Sequence, residues 1–285
     1  MKIKDIIPNG ELSLEQKLWI GGGTFLRAIR PMILYVCLPA IFMSIGMIFM
    51  RNRTAADMIS GSGNFYYALG IIFTTLILHK RSKKRGSSLE EDATLEYKDL
   101  DKDKILTLLL MGLGFGFFFS ALLTVFPFPK FLIESYRSSS GTLNEGTDQI
   151  LALVSTAILA PITEEIVYRG YMLNRLLGWF KEKDSILIST VLFAVGHISI
   201  LWIAYAFVMG LLLTKVSIEE DNIAYSIALH IGFNASVVPI WIVNHTPALE
   251  RVLFANNFLI AAYGIAACYG AVQLYKKYRK GTKRW

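Results

Sequence analysis

The sequence predicts an all-α protein, a polytopic helical membrane bundle of about eight transmembrane helices. Of the 285 residues, 54% are hydrophobic, and the mean hydropathy is +0.47, more than an ordinary soluble domain carries. The hydrophobic residues form separate runs, and the basic residues behind the net charge of +7 lie mainly between them. Runs that approach the roughly 20 residues of a spanning helix are typical of multi-pass membrane proteins.

The charge distribution indicates the lipid bilayer as a partner and argues against nucleic acid. Basic clusters between apolar runs follow the positive-inside pattern, and no surface module that combines aromatic with basic residues is visible. Cys37 and Cys268 both lie inside apolar runs, so neither a disulfide framework nor a cysteine metal site is indicated. We expect no cleavable signal peptide, because the first apolar run follows an amphipathic leader.

The N-terminal part divides into three predicted segments. Residues 1–30 mix Ile, Leu and Trp with Lys and Arg, which suits an amphipathic cytoplasmic segment lying on the membrane interface; a disordered tail is the alternative. Residues 31–79 form an N-terminal transmembrane hairpin from the apolar runs 31–50 and 65–78. Residues 80–104 carry the densest charge in the chain and predict a cytoplasmic linker.

Residues 105–275 form the predicted catalytic helical bundle. Its first run, residues 105–128, contains Gly112 and Gly116, a small-xxx-small pair that favours close helix packing. The next run, residues 149–169, carries the paired glutamates. The remaining runs are residues 185–200, 201–216, 222–243 and 252–275, followed by a basic cytoplasmic tail at residues 276–285.

The topology follows from counting the spans. Eight spans place both termini on one side, and four basic clusters then fall on that side: residues 1–30, 80–85, 169–183 and 276–284. The positive-inside rule names this side the cytoplasm. We therefore expect a multi-pass protein of the cell membrane with both termini cytoplasmic.

Three of the apolar runs carry polar residues spaced four apart. The pairs are Glu165 with Arg169, Phe193 with His197, and His230 with Asn234. Residues at i and i+4 share a helix face, and ionisable groups at membrane depth are too costly to face lipid. The three faces should therefore turn inward toward one another. Pro161, shortly before the glutamates, is expected to loosen its helix.

Such a cluster contains the parts of a hydrolytic site. Two neighbouring carboxylates in a low-dielectric site need a compensating cation, and Arg169 is the obvious partner of Glu165. Glu164 is then available as a general base for a water molecule, with His197 orienting the same water. His230 and Asn234 could donate hydrogen bonds to an oxyanion.

Structural alternatives remain open for each of these signals. Glu165 with Arg169 can be a salt bridge at a helix end, and a lone histidine in an apolar helix is often a packing residue. The His230 and Asn234 pair can simply join helices. The functional interpretation depends on their coincidence in three separate segments.

The chain resembles a known family in three motifs, which are Glu164-Glu165-x-x-x-Arg169, Phe193-x-x-x-His197 and His230-x-x-x-Asn234. They are similar to the three signature motifs of the type II CAAX prenyl endopeptidases, also called the CPBP intramembrane proteases or Abi family. The resemblance covers about residues 149–243. It implies a helical membrane bundle whose site opens toward the cytoplasm and the lipid.

The resemblance also implies the residue roles. Glu164 would activate water with the help of His197, His230 and Asn234 would stabilise the oxyanion, and Glu165 with Arg169 would support them. Members of the family are often labelled metalloproteases, and two histidines with a glutamate can hold zinc. A metal-free glutamate mechanism is favoured here, because no His-Glu-x-x-His helix is present; zinc remains open.

The expected function is hydrolysis of a peptide bond in a membrane-associated peptide or protein. Short loops and the absence of an added soluble domain look bacterial, which makes a prenylated substrate less expected. One alternative is a non-enzymatic membrane immunity or scaffolding protein that retains the pocket. Another is a transporter with a proton relay, although no inverted repeat is visible.

Overall fold

The structure is a computed structural model that describes residues 14–49, 63–140 and 149–281. These residues are helical apart from short connections, and they contain no β-strand, so the predicted all-α class is confirmed. The first thirteen residues of the predicted interfacial segment lie outside the described part. From Leu14 onward the same segment belongs to a helix that continues to Phe49, across the predicted boundary at residue 30.

The helices are numbered in chain order, with one long irregular helix counted as α6. They are α1 (Leu14–Phe49), α2 (Gly63–Lys84), α3 (Leu89–Ala93), α4 (Lys102–Val125), α5 (Lys130–Ser140), α6 (Gln149–Leu177), α7 (Glu182–Val195), α8 (Ile200–Glu220), α9 (Ile223–Ala235), α10 (Val237–Asn244), α11 (Pro247–Leu253) and α12 (Asn257–Gly281).

Six helices in the described part are long and apolar enough to cross a membrane. They are Gly21–Ile48 within α1, α4, α6, α8, the combined Ile223–Asn244, and Asn257–Lys280 within α12. Large apolar side chains such as Ile48, Leu106 and Ile265 are exposed on their outer surfaces, as contact with lipid requires. The chain is therefore a multi-pass membrane protein.

The second and fifth predicted runs lie in α2 and α7, which are not among these six. The last turn of α2 carries Arg81, Lys83 and Lys84, which lowers its mean hydropathy. With 14 residues, α7 reaches about 21 Å at roughly 1.5 Å per residue, less than the ~30 Å hydrocarbon core. That these two helices also span the bilayer stays a prediction.

Contacts between helix ends define one face of the bundle, which we call the basic face. It contains the ends of α2, α6, α8 and α12 and the starts of α4, α7 and α9. The joining hydrogen bonds include Lys104 to Glu220 at 2.8 Å, Tyr278 to Glu219 at 3.4 Å and Asn174 to Thr94 at 2.8 Å. Four of the helices that meet here therefore run antiparallel to the other three.

The charged linker is folded onto this face. Ser88 begins α3 through a capping box with Glu91, which satisfies two backbone donors at the helix start. Burial acts to raise the pKa of Asp92, but hydrogen bonds from Ser82 and Arg85 outweigh it and hold that pKa below its ordinary value. The linker therefore connects α2 and α4 as an ordered segment.

Glycine contacts bring α4 and α9 together. A Cβ added at Gly112 would lie 2.1 Å from the Leu229 carbonyl oxygen, and one at Gly116 would lie 2.4 Å from the Phe233 carbonyl oxygen. Real Cβ atoms do not approach so closely, so each position requires glycine. The predicted role of the small-xxx-small pair is confirmed.

Replacing Gly112 by alanine should destabilise the bundle. The added methyl group must displace the α9 backbone, and overpacking of this kind costs about 1–3 kcal/mol. Thermal unfolding of the purified protein in detergent measures the loss. Gly270→Ala on α12 is the matched control, because no described atom lies within 4 Å of its added Cβ. An equal loss in both variants would contradict the close contact.

Candidate active site

The paired glutamates lie on α6, between two turns of π-helix. Residues Ser155–Leu159 and Ile166–Leu173 are π-helical, and Ala160–Glu165 between them is α-helical. The Ala160 N–H donates to the Ser155 carbonyl five residues earlier, directly before Pro161. The helix thus departs from α geometry where the proline was expected to loosen it. Such turns occur frequently at functional sites.

Glu165 and Arg169 form an ion pair in the centre of the bundle. The Arg169 guanidinium donates to Glu165 Oε1 at 2.8 Å, and both side chains are 0% exposed. Arg169 also donates to the Gly210 carbonyl at 3.1 Å and to the Thr214 hydroxyl at 3.4 Å. Further hydrogen bonds reduce the cost of burying an ion pair, and α8 supplies the additional acceptors for Arg169, whereas Oε2 of Glu165 is buried without a hydrogen-bond partner among the described residues.

His230 extends this ion pair to α9. Its Nδ1 lies 2.9 Å from Glu165 Oε1, and because a carboxylate paired with arginine only accepts, we assign a hydrogen to Nδ1. The other ring nitrogen, Nε2, lies 3.6 Å from Glu164 Oε2. That distance is too long for a hydrogen bond, so Nε2 remains available for another group.

Glu164 occupies a different environment from its neighbour. Its side chain is 12% exposed, compared with 0% for Glu165. Its Oε1 accepts a hydrogen bond of 2.6 Å from the Tyr35 hydroxyl on α1. The structure therefore gives the two adjacent carboxylates separate surroundings, with Glu165 enclosed by the Arg169 guanidinium and the His230 imidazole and Glu164 at the edge of the cluster.

His197 does not lie on a helix, contrary to the prediction that it shares a helical face with Phe193. Helix α7 ends at Val195, and His197 occupies the following turn. Its Nδ1 is 3.0 Å from the Phe193 carbonyl oxygen, an acceptor, so Nδ1 carries a hydrogen and Nε2 presents its lone pair in the neutral ring. Ile198 follows with φ +65°, a left-handed conformation that is strained for a β-branched residue.

The Phe193 ring joins the two histidines. It makes edge contacts with His197 at 5.0 Å and with His230 at 5.8 Å between ring centres, and the Arg169 guanidinium lies 4.3 Å from its centre. Tyr168 packs edge-on against the same ring at 5.2 Å. These contacts fix the separation of the imidazoles and explain why the motif contains an aromatic residue.

Asn234 bonds to the backbone of α6 rather than to another of the predicted site residues. Its amide nitrogen donates to the backbone carbonyl of Thr156 at 2.9 Å, in the first π-helical turn of α6. An amide nitrogen carries two hydrogens, so the second remains for another acceptor.

Several residues that contact the site were not predicted from the sequence. Tyr35 is 129 positions from Glu164, and no local pattern marks it. Thr75 of α2 and Thr163 join their hydroxyls at 3.0 Å. Gly210 could have been noticed as a small residue in an apolar run; a Cβ there would lie 3.1 Å from the Phe193 ring.

The site contains carboxylates and imidazoles, which are side chains that bind zinc. In residues 14–49, 63–140 and 149–281, no group of three or more His, Cys, Asp or Glu side chains is arranged to hold a metal ion. The nearest approximation is Glu164, Glu165 and His230, where Arg169 already bonds the second carboxylate. The donor set therefore does not match a zinc centre.

Comparison with known families agrees with the motifs. Residues 146–236 match the model of the Rce1-like type II CAAX prenyl endopeptidases, which confirms the predicted resemblance over that segment and supports a peptidase of the CAAX-protease type. All six predicted site residues lie within the match, and Tyr35 lies outside it. No curated protein and no solved structure matches the chain.

Replacing Arg169 by methionine should strongly destabilise the protein, because Glu165 is left as a buried charge with one partner fewer. Breaking one side of a buried pair costs about 3–5 kcal/mol. Thermal unfolding in detergent measures the loss. The double variant Arg169→Met with Glu165→Gln should recover part of it, since the uncompensated charge is gone. Arg251→Met on the exposed α11 is the control, and an equal effect there would contradict this account.

Proposed function

We propose that the protein is an intramembrane endopeptidase that hydrolyses a peptide bond of a membrane-associated peptide or protein. The observation that supports this best is the convergence of Glu164 with the Nε2 atom of His230, a base and a donor from separate helices. The match to a peptidase family over the same segment favours a hydrolytic use of this arrangement.

Glu164 acts as the general base in this proposal. It is partly exposed, while the compensated charge beside it belongs to Glu165. A water molecule next to Glu164 Oε2 would lose a proton to the carboxylate as its oxygen attacks the peptide carbonyl carbon. The same proton then passes to the leaving amine, which becomes the new N-terminus of the product.

His197 orients that water. Because its Nδ1 donates to the Phe193 carbonyl, its Nε2 lone pair can accept one hydrogen of the water while Glu164 accepts the other. Two acceptors fix the oxygen lone pair toward the substrate, which is a positioning effect. His197 lies within electrostatic range of both Glu164 and His230.

His230 and Asn234 stabilise the developing oxyanion. In this proposal Nε2 of His230 carries a hydrogen and donates it to the oxyanion. Nε2 does not share this hydrogen with Glu164, because the two atoms lie too far apart for a hydrogen bond. Asn234 contributes the amide hydrogen that Thr156 does not use.

The orientation in the membrane follows from the basic face. This face gathers the basic end of α2 and the final turns of α12, which carry Arg81, Lys83, Lys84, Arg279 and Lys280. The positive-inside rule assigns such a face to the cytoplasm. We therefore propose that both termini are cytoplasmic and that α2 and α7 also cross the bilayer.

Replacing Glu164 by glutamine should abolish proteolysis without removing the protein from the membrane. Glutamine keeps the shape but cannot take up a proton at neutral pH, and loss of a general base lowers rates about 10²–10⁴-fold. Membrane peptides from cells expressing each form are compared by mass spectrometry. A synthetic peptide that spans the cleaved bond is then assayed with purified protein in nanodiscs.

Glu250→Gln, on the exposed surface of α11, is the matched control and should retain full activity. A peptide that is cleaved equally by the Glu164→Gln variant would contradict the assigned base. If no peptide depends on Glu164, a non-enzymatic immunity or scaffolding role replaces the peptidase proposal.

A further inference from the structure

The N-terminal hairpin reaches the catalytic carboxylate through Tyr35. The Tyr35 hydroxyl lies 2.6 Å from Glu164 Oε1, which is in the range of a strong hydrogen bond from O–H to a carboxylate. The side chain is buried, with 8% exposed. Tyr35 belongs to α1, outside the segment that matches the peptidase family.

The surroundings hold Tyr35 in place. Its ring packs edge-on against Tyr168 with ring centres 6.4 Å apart. The hairpin itself is closely packed, because a Cβ at Gly70 would lie 2.4 Å from the Pro39 Cα. The hydroxyl is therefore presented to Glu164 by a fixed scaffold.

The hairpin is also joined to α6 beside the glutamate. The Thr75 and Thr163 hydroxyls lie 3.0 Å apart, one residue before Glu164 along the chain. Two polar contacts from two different helices thus meet adjacent positions of α6.

We propose that Tyr35 is a positioning residue for Glu164, so that the N-terminal hairpin is a functional part of the active site. This inference rests on the proposed peptidase function. The hydroxyl holds Oε1 and thereby turns Oε2 toward His230 and the attacking water. Tyr35 does not touch the substrate; it acts through the carboxylate.

The role predicts a distinctive kinetic effect for Tyr35→Phe. Phenylalanine keeps the ring contact with Tyr168. It removes the only hydrogen bond that Oε1 of Glu164 accepts from any of the described residues. A residue that orients the base affects the chemical step and leaves substrate binding unchanged. We expect kcat to fall about tenfold, the equivalent of one modest hydrogen bond, with KM changed less than about twofold.

The measurement uses full-length protein in nanodiscs and the synthetic peptide identified with Glu164→Gln. Tyr66→Phe is the matched control, since Tyr66 belongs to α2 of the same hairpin and its ring packs against Gly46. It should retain the wild-type kcat. An unchanged kcat in Tyr35→Phe, or a loss that lies entirely in KM, would overturn the inference while the peptidase function stands.

A stability cycle tests the contact separately from activity. Unfolding temperatures are measured for Tyr35→Phe, Glu164→Ala and the double variant. Coupling between the two side chains makes the effects non-additive, so removing the hydroxyl should matter less once the carboxylate is gone. Additive effects would overturn the inference. If the wild type cleaves no peptide, the peptidase proposal fails, and the positioning role fails with it even where the cycle shows coupling.

Discussion

The structure depends on satisfying two buried charges in the middle of a membrane bundle. Glu165 and Arg169 are completely enclosed, and an unpaired charge at that depth would be prohibitive. The solution uses three helices: α6 supplies the pair, α8 supplies the Gly210 carbonyl and the Thr214 hydroxyl, and α9 supplies His230. The same contacts that satisfy the charges also fix the relative positions of the helices that carry the site.

This arrangement also separates the roles of two identical neighbours. Oε1 of Glu165 accepts hydrogen bonds from a guanidinium and an imidazole, so this carboxylate joins α6 to α9. Glu164 has one oxygen on a tyrosine hydroxyl and the other near an imidazole nitrogen that makes no hydrogen bond to it. A single turn of helix therefore presents two carboxylates to the two ring nitrogens of His230, one inside an ion pair and one at the edge of the cluster.

Much of this could be predicted from the sequence, because the relevant signals are local. Apolar runs and the four-residue spacing identified the helices and the cluster of Glu165, Arg169 and His230. The position of His197 was wrong in detail, since a helix was assumed to continue past Gly196, where α7 has already ended. Asn234 donates to a backbone carbonyl, a contact that leaves no trace in side-chain patterns, and its role as an oxyanion donor stays a prediction.

The contact of Tyr35 with Glu164 could not be predicted from the sequence for a different reason. Its contact with Glu164 joins positions 129 residues apart, and the chain contains 13 tyrosines, none of which a local pattern links to the glutamates. Only the packing of the hairpin against α6 selects one of them. The difference between α2 or α7 and the six more apolar helices likewise depends on flanking charge and on helix length. A run of apolar residues in the sequence defines neither of them well.

The π-helical turns of α6 have a consequence for how this chain can change in length. A π-helical turn accommodates an additional residue, and one residue corresponds to about 100° of rotation in an α-helix. Deleting one residue within Ser155–Leu159 would let this turn close to α geometry with little rotation, whereas the same deletion from an α-helical part of α6 would turn the outer end by roughly that angle relative to the glutamates. Insertions and deletions in this helix are therefore constrained by orientation, even where every new side chain is acceptable to lipid.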